Sequence, residues 1–282
     1  MEIGGIYVTK VITFANFKGG TGKTTNSVMF AYELASKGHK VLLVDQDPQA
    51  NATSLLFKTY ENLHGQEAPF NKTLMAAMRD GDLKQIVTPI KDNLDLLPSY
   101  TDFTKYPDFL EDKFPGALRP QRAKYFNSLL EPIKADYDFV LIDLPPTLSI
   151  YTSGALYASD GVVIVLQTQD RSLDGAENFV KELQVFVDEY QHYVDVFGVL
   201  PVILKKGGLV DEATLANATE LFGQENMFNN IVKHMERLKR WDMIGITENE
   251  KDVHDKRVHA VYETLTDEFL ERLEKMQHEQ LN

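Results

Sequence analysis

The chain contains no cysteine among its 282 residues, which excludes disulfides, a thiol nucleophile and any cysteine-ligated zinc or iron–sulfur centre. No apolar run approaches the ~18 residues that a membrane-spanning helix needs. The opening MEIGGIYVTK lacks the basic region and apolar core of a secretory signal, so a cytoplasmic protein is expected. Positive charge is scarce: 29 Lys and Arg stand against 42 Asp and Glu, a net charge of −13. A surface of that sign has no general attraction for nucleic acid or anionic lipid, so any polyanion must find a local basic patch. One stretch is short of acid instead, since no Asp or Glu occurs between Val11 and Tyr32.

What is present is ordinary soluble composition, 43% hydrophobic and 25% charged. The length suits one α/β unit, and a single domain over 1–282 is expected. VITFAN at 11–16 is a short β-rich run that leads through glycines into TTNSVMFAYELASKG, where Val28, Ala31, Leu34 and Ala35 recur at helical spacing. Gly38 marks the helix stop, and HKVLLVD at 39–45 is a buried strand. Further strands are expected at 93–99, 138–146, 161–167 and 195–204. The pattern predicts an α/β fold with a mostly parallel, doubly wound sheet and helices on both faces. Between about 60 and 120, Pro69, Pro98, Pro107 and Pro115 break the chain into short pieces, read as an irregular excursion from the core.

Three motifs carry chemistry. FKGGTGKTT offers Gly19, Gly20, Thr21 and Gly22, whose backbone amides can wrap a phosphate chain at the positive end of the following helix. Lys23 would reach the β- and γ-phosphates of ATP, Thr24 would bind Mg²⁺, and Thr25 completes the cradle. The usual loop has glycine where this chain has Phe17, and it lacks the additional Lys18. VDQDPQAN at 44–51 and LIDLPP at 141–146 place Asp45, Asp47 and Asp143 at the carboxyl ends of expected parallel strands, where open α/β sheets bind ligands. Each acidic cluster alone could be a solvated turn. Their order with the glycine loop argues for a Mg–nucleotide site.

Together FKGGTGKTT, VDQDPQANAT and LIDLPP resemble the deviant Walker A ATPases of the ParA, Soj and MinD group. NLDLLPS, ALYASDGVVIVLQ and the Gly245 region with its long last helix extend the likeness over most of the chain. The resemblance implies a P-loop fold and a homodimer that sandwiches two ATP molecules. In it Lys18 crosses to the partner's phosphates, Lys23 serves its own subunit's nucleotide, Asp47 orients the attacking water, and Asp45 supports the magnesium shell beside Thr24 and Asp143. Catalysis by positioning and charge neutralisation then predicts slow hydrolysis.

Within that group, plasmid or chromosome partition is the first reading: the ATP-bound dimer holds double-stranded DNA nonspecifically until a centromere-binding ParB-type adaptor triggers hydrolysis. The alternative is a MinD-like membrane switch. Leu265, Phe269, Leu273 and Met276 do form a stripe in the tail, but six acidic residues face two basic ones from Glu263 onward, which suits core packing better than anionic lipid. A metabolic ligase or kinase with a related loop stays open. For DNA the best patch is IVKHMERLKRW, with Lys233, Arg237, Lys239 and Arg240; LRPQRAK at 118–124 and Lys205–Lys206 are further basic stretches, the latter also placed to lie near adenine.

Overall fold

The computed structural model describes residues 9–16, 18–147, 149–168, 172–203 and 209–281. Gln169, Lys205 and Lys206 lie outside them.

Strand β1 (Lys10–Ala15) enters the glycine loop and helix α1 (Lys23–Ser36), which Gly38 ends at φ 93°, and β2 (Val41–Asp45) follows. The strands alternate between two apolar layers: Ile12 and Phe14 face one side, Val11 and Ala15 the other, as Leu43 does against Leu42 and Val44. Strands buried on both faces are the mark of a parallel sheet. Helix α2 (Asn51–His64) follows the second motif, then α3 (Leu74–Asp80), the hairpin β3 (Thr88–Lys91) and β4 (Leu94–Leu97), α4 (Tyr106–Lys113) and α5 (Arg119–Lys134). The remaining core elements are β5 (Phe139–Asp143), α6 (Ile150–Ala158), β6 (Gly161–Gln167), α7 (Ser172–Tyr190), β7 (Asp195–Ile203), α8 (Leu209–Phe222) and β8 (Val232–Lys233). The chain closes with α9 (Glu236–Ile244) and α10 (Val253–Leu281).

The eight strands run β3-β4-β2-β5-β1-β6-β7-β8, all parallel except the antiparallel β3–β4 hairpin at one edge. Within the stretch expected as an excursion, β4 is the strand expected at 93–99 and pairs with β2, and β3 is added beside it. On one face α1, α2 and α10 cover the sheet, with the Phe30 ring edge-on to Phe14, Tyr262 and Phe269 at 5.1, 6.2 and 5.8 Å. Leu265, Phe269 and Leu273 are buried there, so the tail's apolar stripe is core. On the other face α5, α6 and α7 pack against the alternate strand residues. At the carboxyl end of the sheet β1, β2, β5 and β6 stand side by side, with Asp45 in register with Asp143 and Phe14 with Asp143.

Candidate active site

The glycine loop is braced from several sides. Asn16, at the end of β1, donates from Nδ2 to the Val165 carbonyl on β6 at 2.8 Å and accepts the Lys18 amide on Oδ1 at 2.8 Å. Gln167, the last residue of β6, donates to the Gly20 carbonyl at 3.1 Å. Gly20 and Gly22 take φ of 74° and 88°, which side-chain-bearing residues rarely adopt. Asn26 on α1 donates to the Gly22 carbonyl at 2.8 Å and accepts the Tyr262 hydroxyl from α10 at 3.0 Å, tying the loop to the last helix. Lys23 is buried, and its ammonium donates to the Lys18 carbonyl at 3.2 Å. Burial holds its pKa below the usual lysine value, while the charges of Asp143 and Asp47 act in the other direction.

The two acidic motifs arrive beside this loop but play different parts. Asp45 is fully buried, and the chain itself satisfies its carboxylate: Oδ1 accepts the Asp47 amide at 3.0 Å, and Oδ2 accepts the Thr53 amide and hydroxyl, each at 2.8 Å. Burial nevertheless lifts its pKa to about 6 against those hydrogen bonds. Asp45, expected in the magnesium shell, uses both carboxylate oxygens to shape the loop and hold the first turn of α2. Asp47 accepts the Gln49 amide at 2.8 Å, which turns the loop and leaves its carboxyl on a cavity of about 640 Å³ lined by Gly20 to Thr25.

Asp143 is the opposite of Asp45. It is wholly buried, and neither carboxylate oxygen has a well-formed hydrogen bond from the described residues. Burial, then the neighbouring Asp45 and Asp47, push its pKa to about 8, with the nearby Thr24 hydroxyl and Lys23 ammonium opposing. A buried carboxylate so poorly supplied with donors is costly unless a cation completes it. Thr24 and Asp143 therefore fit Mg²⁺. Among the described residues no three His, Asp or Glu side chains converge as a metal cage.

The basic patch divides. Lys233, Lys239 and Arg240 are exposed. Arg237, expected among them, turns inward: its guanidinium pairs with Asp252 and, at 3.0 Å, with Asp255, leaving the side chain 9% exposed. It ties α9 to α10. His254 and Arg257, which the charge pattern of the sequence does not single out, join His234 and Arg240 around a cleft of about 350 Å³ between the two helices. Acidic neighbours Asp252 and Asp255 hide them in the sequence. The 118–124 stretch lies on α5 in the other helical layer, with Arg122 paired to Glu111 at 3.2 Å.

A glycine loop, the strand-end carboxylates Asp45 and Asp143, and Asp47 in the loop between β2 and α2, all on a doubly wound sheet, define a P-loop nucleotide hydrolase. A profile of the AAA domain family matches residues 9–196. The chain is 34% identical over 196 residues to the sporulation initiation inhibitor protein Soj of Bacillus subtilis, covering 69% of this chain and 73% of that one. It is 30% identical over 265 residues to the chromosome-partitioning ATPase Soj of Thermus thermophilus, covering 94% and 96%. A plasmid partition protein of Borrelia burgdorferi bound to AMPPNP shares the fold, with a TM-score of 0.70 at 24% identity over 95% of this chain and all of that one. The chain belongs to the ParA/Soj family of deviant Walker A ATPases.

Proposed function

We propose that this ATPase drives DNA partition, as its relatives' names state for them. The chain acts as one domain over 1–282, and its cofactors are ATP and Mg²⁺. Gly19 to Thr25 wrap the phosphates of the nucleotide, Lys23 neutralises them, and Thr24 and Asp143 hold the metal. Bound there, the metal would offset charge on the β- and γ-oxygens. Asp47 aligns the attacking water, and Lys18 reaches the nucleotide of a second copy in a sandwich homodimer.

The observation that carries this reading is the contrast between Asp45 and Asp143. One carboxylate is consumed in building the loop and the other is left without firm donors beside Lys23, an arrangement that a cation and a phosphate chain would complete.

Lys233, Lys239, Arg240 and Arg257 give the dimer a face for duplex DNA, read through phosphates and hence without sequence preference. A centromere-binding ParB-type adaptor would stimulate hydrolysis and release, and the ATP form would sit on the nucleoid within the cytoplasm. The membrane alternative is weakened because Leu265, Phe269 and Leu273 are spent in the core.

Retention of the protein on plain duplex DNA and on anionic liposomes, each with and without ATP, tests the choice. ATP-dependent retention on DNA alone is expected. Retention on liposomes alone would overturn the partition reading.

A further inference from the structure

Helix α2 is anchored at each end to a different part of the molecule. Near its start, Thr53 donates to Asp45 from both amide and hydroxyl at 2.8 Å, and the Ser99 amide donates to the Thr53 hydroxyl oxygen at 2.9 Å. The helix is thereby locked to the loop that carries Asp47. Toward its end, Thr59 Oγ1 accepts the Ile246 amide at 2.9 Å, Lys58 donates to the Asp242 carbonyl at 2.8 Å, and Asn62 donates to the Ile244 carbonyl at 2.7 Å. Gly245 seals the joint. Its φ is +85°, and a Cβ there would lie 2.5 Å from the Lys58 carbonyl carbon and 2.6 Å from the Thr59 amide, so the turn after α9 rides directly on the α2 backbone.

That turn joins the two helices whose side chains form the basic cleft. Beyond it, Trp241 Nε1 donates to Thr247 Oγ1 at 3.0 Å, the Thr247 hydroxyl donates to Asp255 at 2.7 Å, and Asp255 pairs with Arg237. The phosphate cavity meets the same path, for Asn51, Ser54 and Lys58 of α2 line it together with Asp242 of α9. Phosphate chemistry requires none of the bonds at the far end of α2. They tie the α9–α10 junction to the helix that leaves the nucleotide loop.

We propose that α2 is the coupling element through which the occupant of the phosphate cavity sets the geometry of the α9–α10 cleft. The consequence for polyanion binding rests on the DNA reading above, whereas the coupling itself can be read without DNA. Trp241, the chain's one tryptophan, is buried at the junction with its ring 5.1 Å from that of His259, and reports on it.

The test is Thr59→Val, which keeps the shape and removes the hydroxyl, compared with Thr59→Ser, which restores it. Wild-type Trp241 emission should change on adding AMPPNP with Mg²⁺, and differently with ADP. In Thr59→Val most of that change should vanish while nucleotide affinity, measured by equilibrium dialysis, stays within about twofold, and Thr59→Ser should recover it. The ratio of DNA affinities with AMPPNP and ADP should fall toward one in Thr59→Val, although sedimentation still shows nucleotide-dependent dimers. Should Thr59→Val not fold, Asn62→Ala, which cuts an exposed bond of the same joint, is expected to give the same loss. A silent wild-type tryptophan, or a variant with the full wild-type response, overturns the coupling. A response lost in Thr59→Val and restored in Thr59→Ser, with no nucleotide-dependent DNA binding even in wild type, leaves the coupling standing and removes the DNA reading instead.

Discussion

Asp45 and Asp143 sit opposite each other at the ends of adjacent parallel strands, both fully buried, yet three well-formed hydrogen bonds reach the first and none from the described residues reaches the second. Identical side chains in identical register thus divide the labour. One fixes backbone, and the other waits for charge.

The pH dependence of the metal-free protein follows from Asp143. Its folded pKa stands near 8, above the unfolded carboxylate value, so the native state binds the proton more tightly. Stability from this group is complete at low pH and declines as pH rises from about 4 toward about 8. Asp143→Asn should flatten that decline and stabilise the metal-free protein at pH 8 by on the order of 2 kcal/mol, since a buried charge is removed with its shape kept. Thermal melts in EDTA across pH check the slope. The same variant should lose the stabilisation that Mg–ATP gives wild type.

Asp47→Ala removes the carboxyl that faces the cavity and leaves Asp45 and Thr53 to hold the start of α2. ATP affinity is expected to change little, while turnover falls on the order of 10²-fold or more, the contribution typical of a positioned group at the reacting water. Steady-state hydrolysis with adaptor and DNA, beside nucleotide binding at equilibrium, measures both. Near-normal turnover would remove Asp47 from the water-orienting role.

How far the sequence foretells this site depends on the range of the interactions involved. Strands β2, β5 and β6 are readable because burial on both faces leaves continuous apolar runs such as VLLV and GVVIVLQ. Strand β3 is not: it has four residues, includes Pro89 and meets β4 through a register shift. The glycine loop is local, and its passage into α1 at Lys23 is readable. The bonds that Asp45 accepts are not legible because its partner Thr53 lies eight residues on, in the first turn of α2, a contact no strand-end pattern displays. Arg237 looks like its neighbours because its partners Asp252 and Asp255 lie 15 and more residues away, at the start of the next helix. Gln167 ends an apolar strand with nothing in the sequence to give it a role, and only the fold puts its amide on the Gly20 carbonyl.

Lys18 and Lys23 should separate by concentration. Lys23 lies buried in its own loop, so Lys23→Gln should weaken nucleotide binding about 10- to 100-fold, the loss expected for a charge-assisted bond to phosphate. Lys18→Gln should leave monomer affinity within a few fold and abolish ATP-dependent dimers. Binding measured below the dimerisation range, then sedimentation above it, distinguishes the two. Dimers in Lys18→Gln would place Lys18 on its own subunit's phosphates.

The basic face supplies the last prediction, because α9 carries arginines of two kinds. Arg237, Arg240 and Arg257 all line the cleft, but Arg240 and Arg257 are exposed, and Lys239 is exposed with only a loose 3.5 Å approach to Glu236, so these last three charges are available to a phosphate. Replacing Lys239, Arg240 and Arg257 with Ala should weaken binding to all duplex sequences alike and reduce the salt slope by about one for each phosphate no longer neutralised. Stability should barely move, for exposed charges contribute little to folding. Arg237→Ala should behave in reverse. Its guanidinium packs against buried Asp255, and removing it takes away that carboxylate's only paired cation among the described residues, leaving the Thr247 hydroxyl and Asn249 amide as donors, which should cost about 2 kcal/mol and lower Tm. Its DNA salt slope, measured well below the melting range, should stay at the wild-type value. An Arg237→Ala protein as stable as wild type but with a flattened salt slope would return Arg237 to the DNA surface, and would mean that the pairing with Asp252 and Asp255 opens when DNA binds.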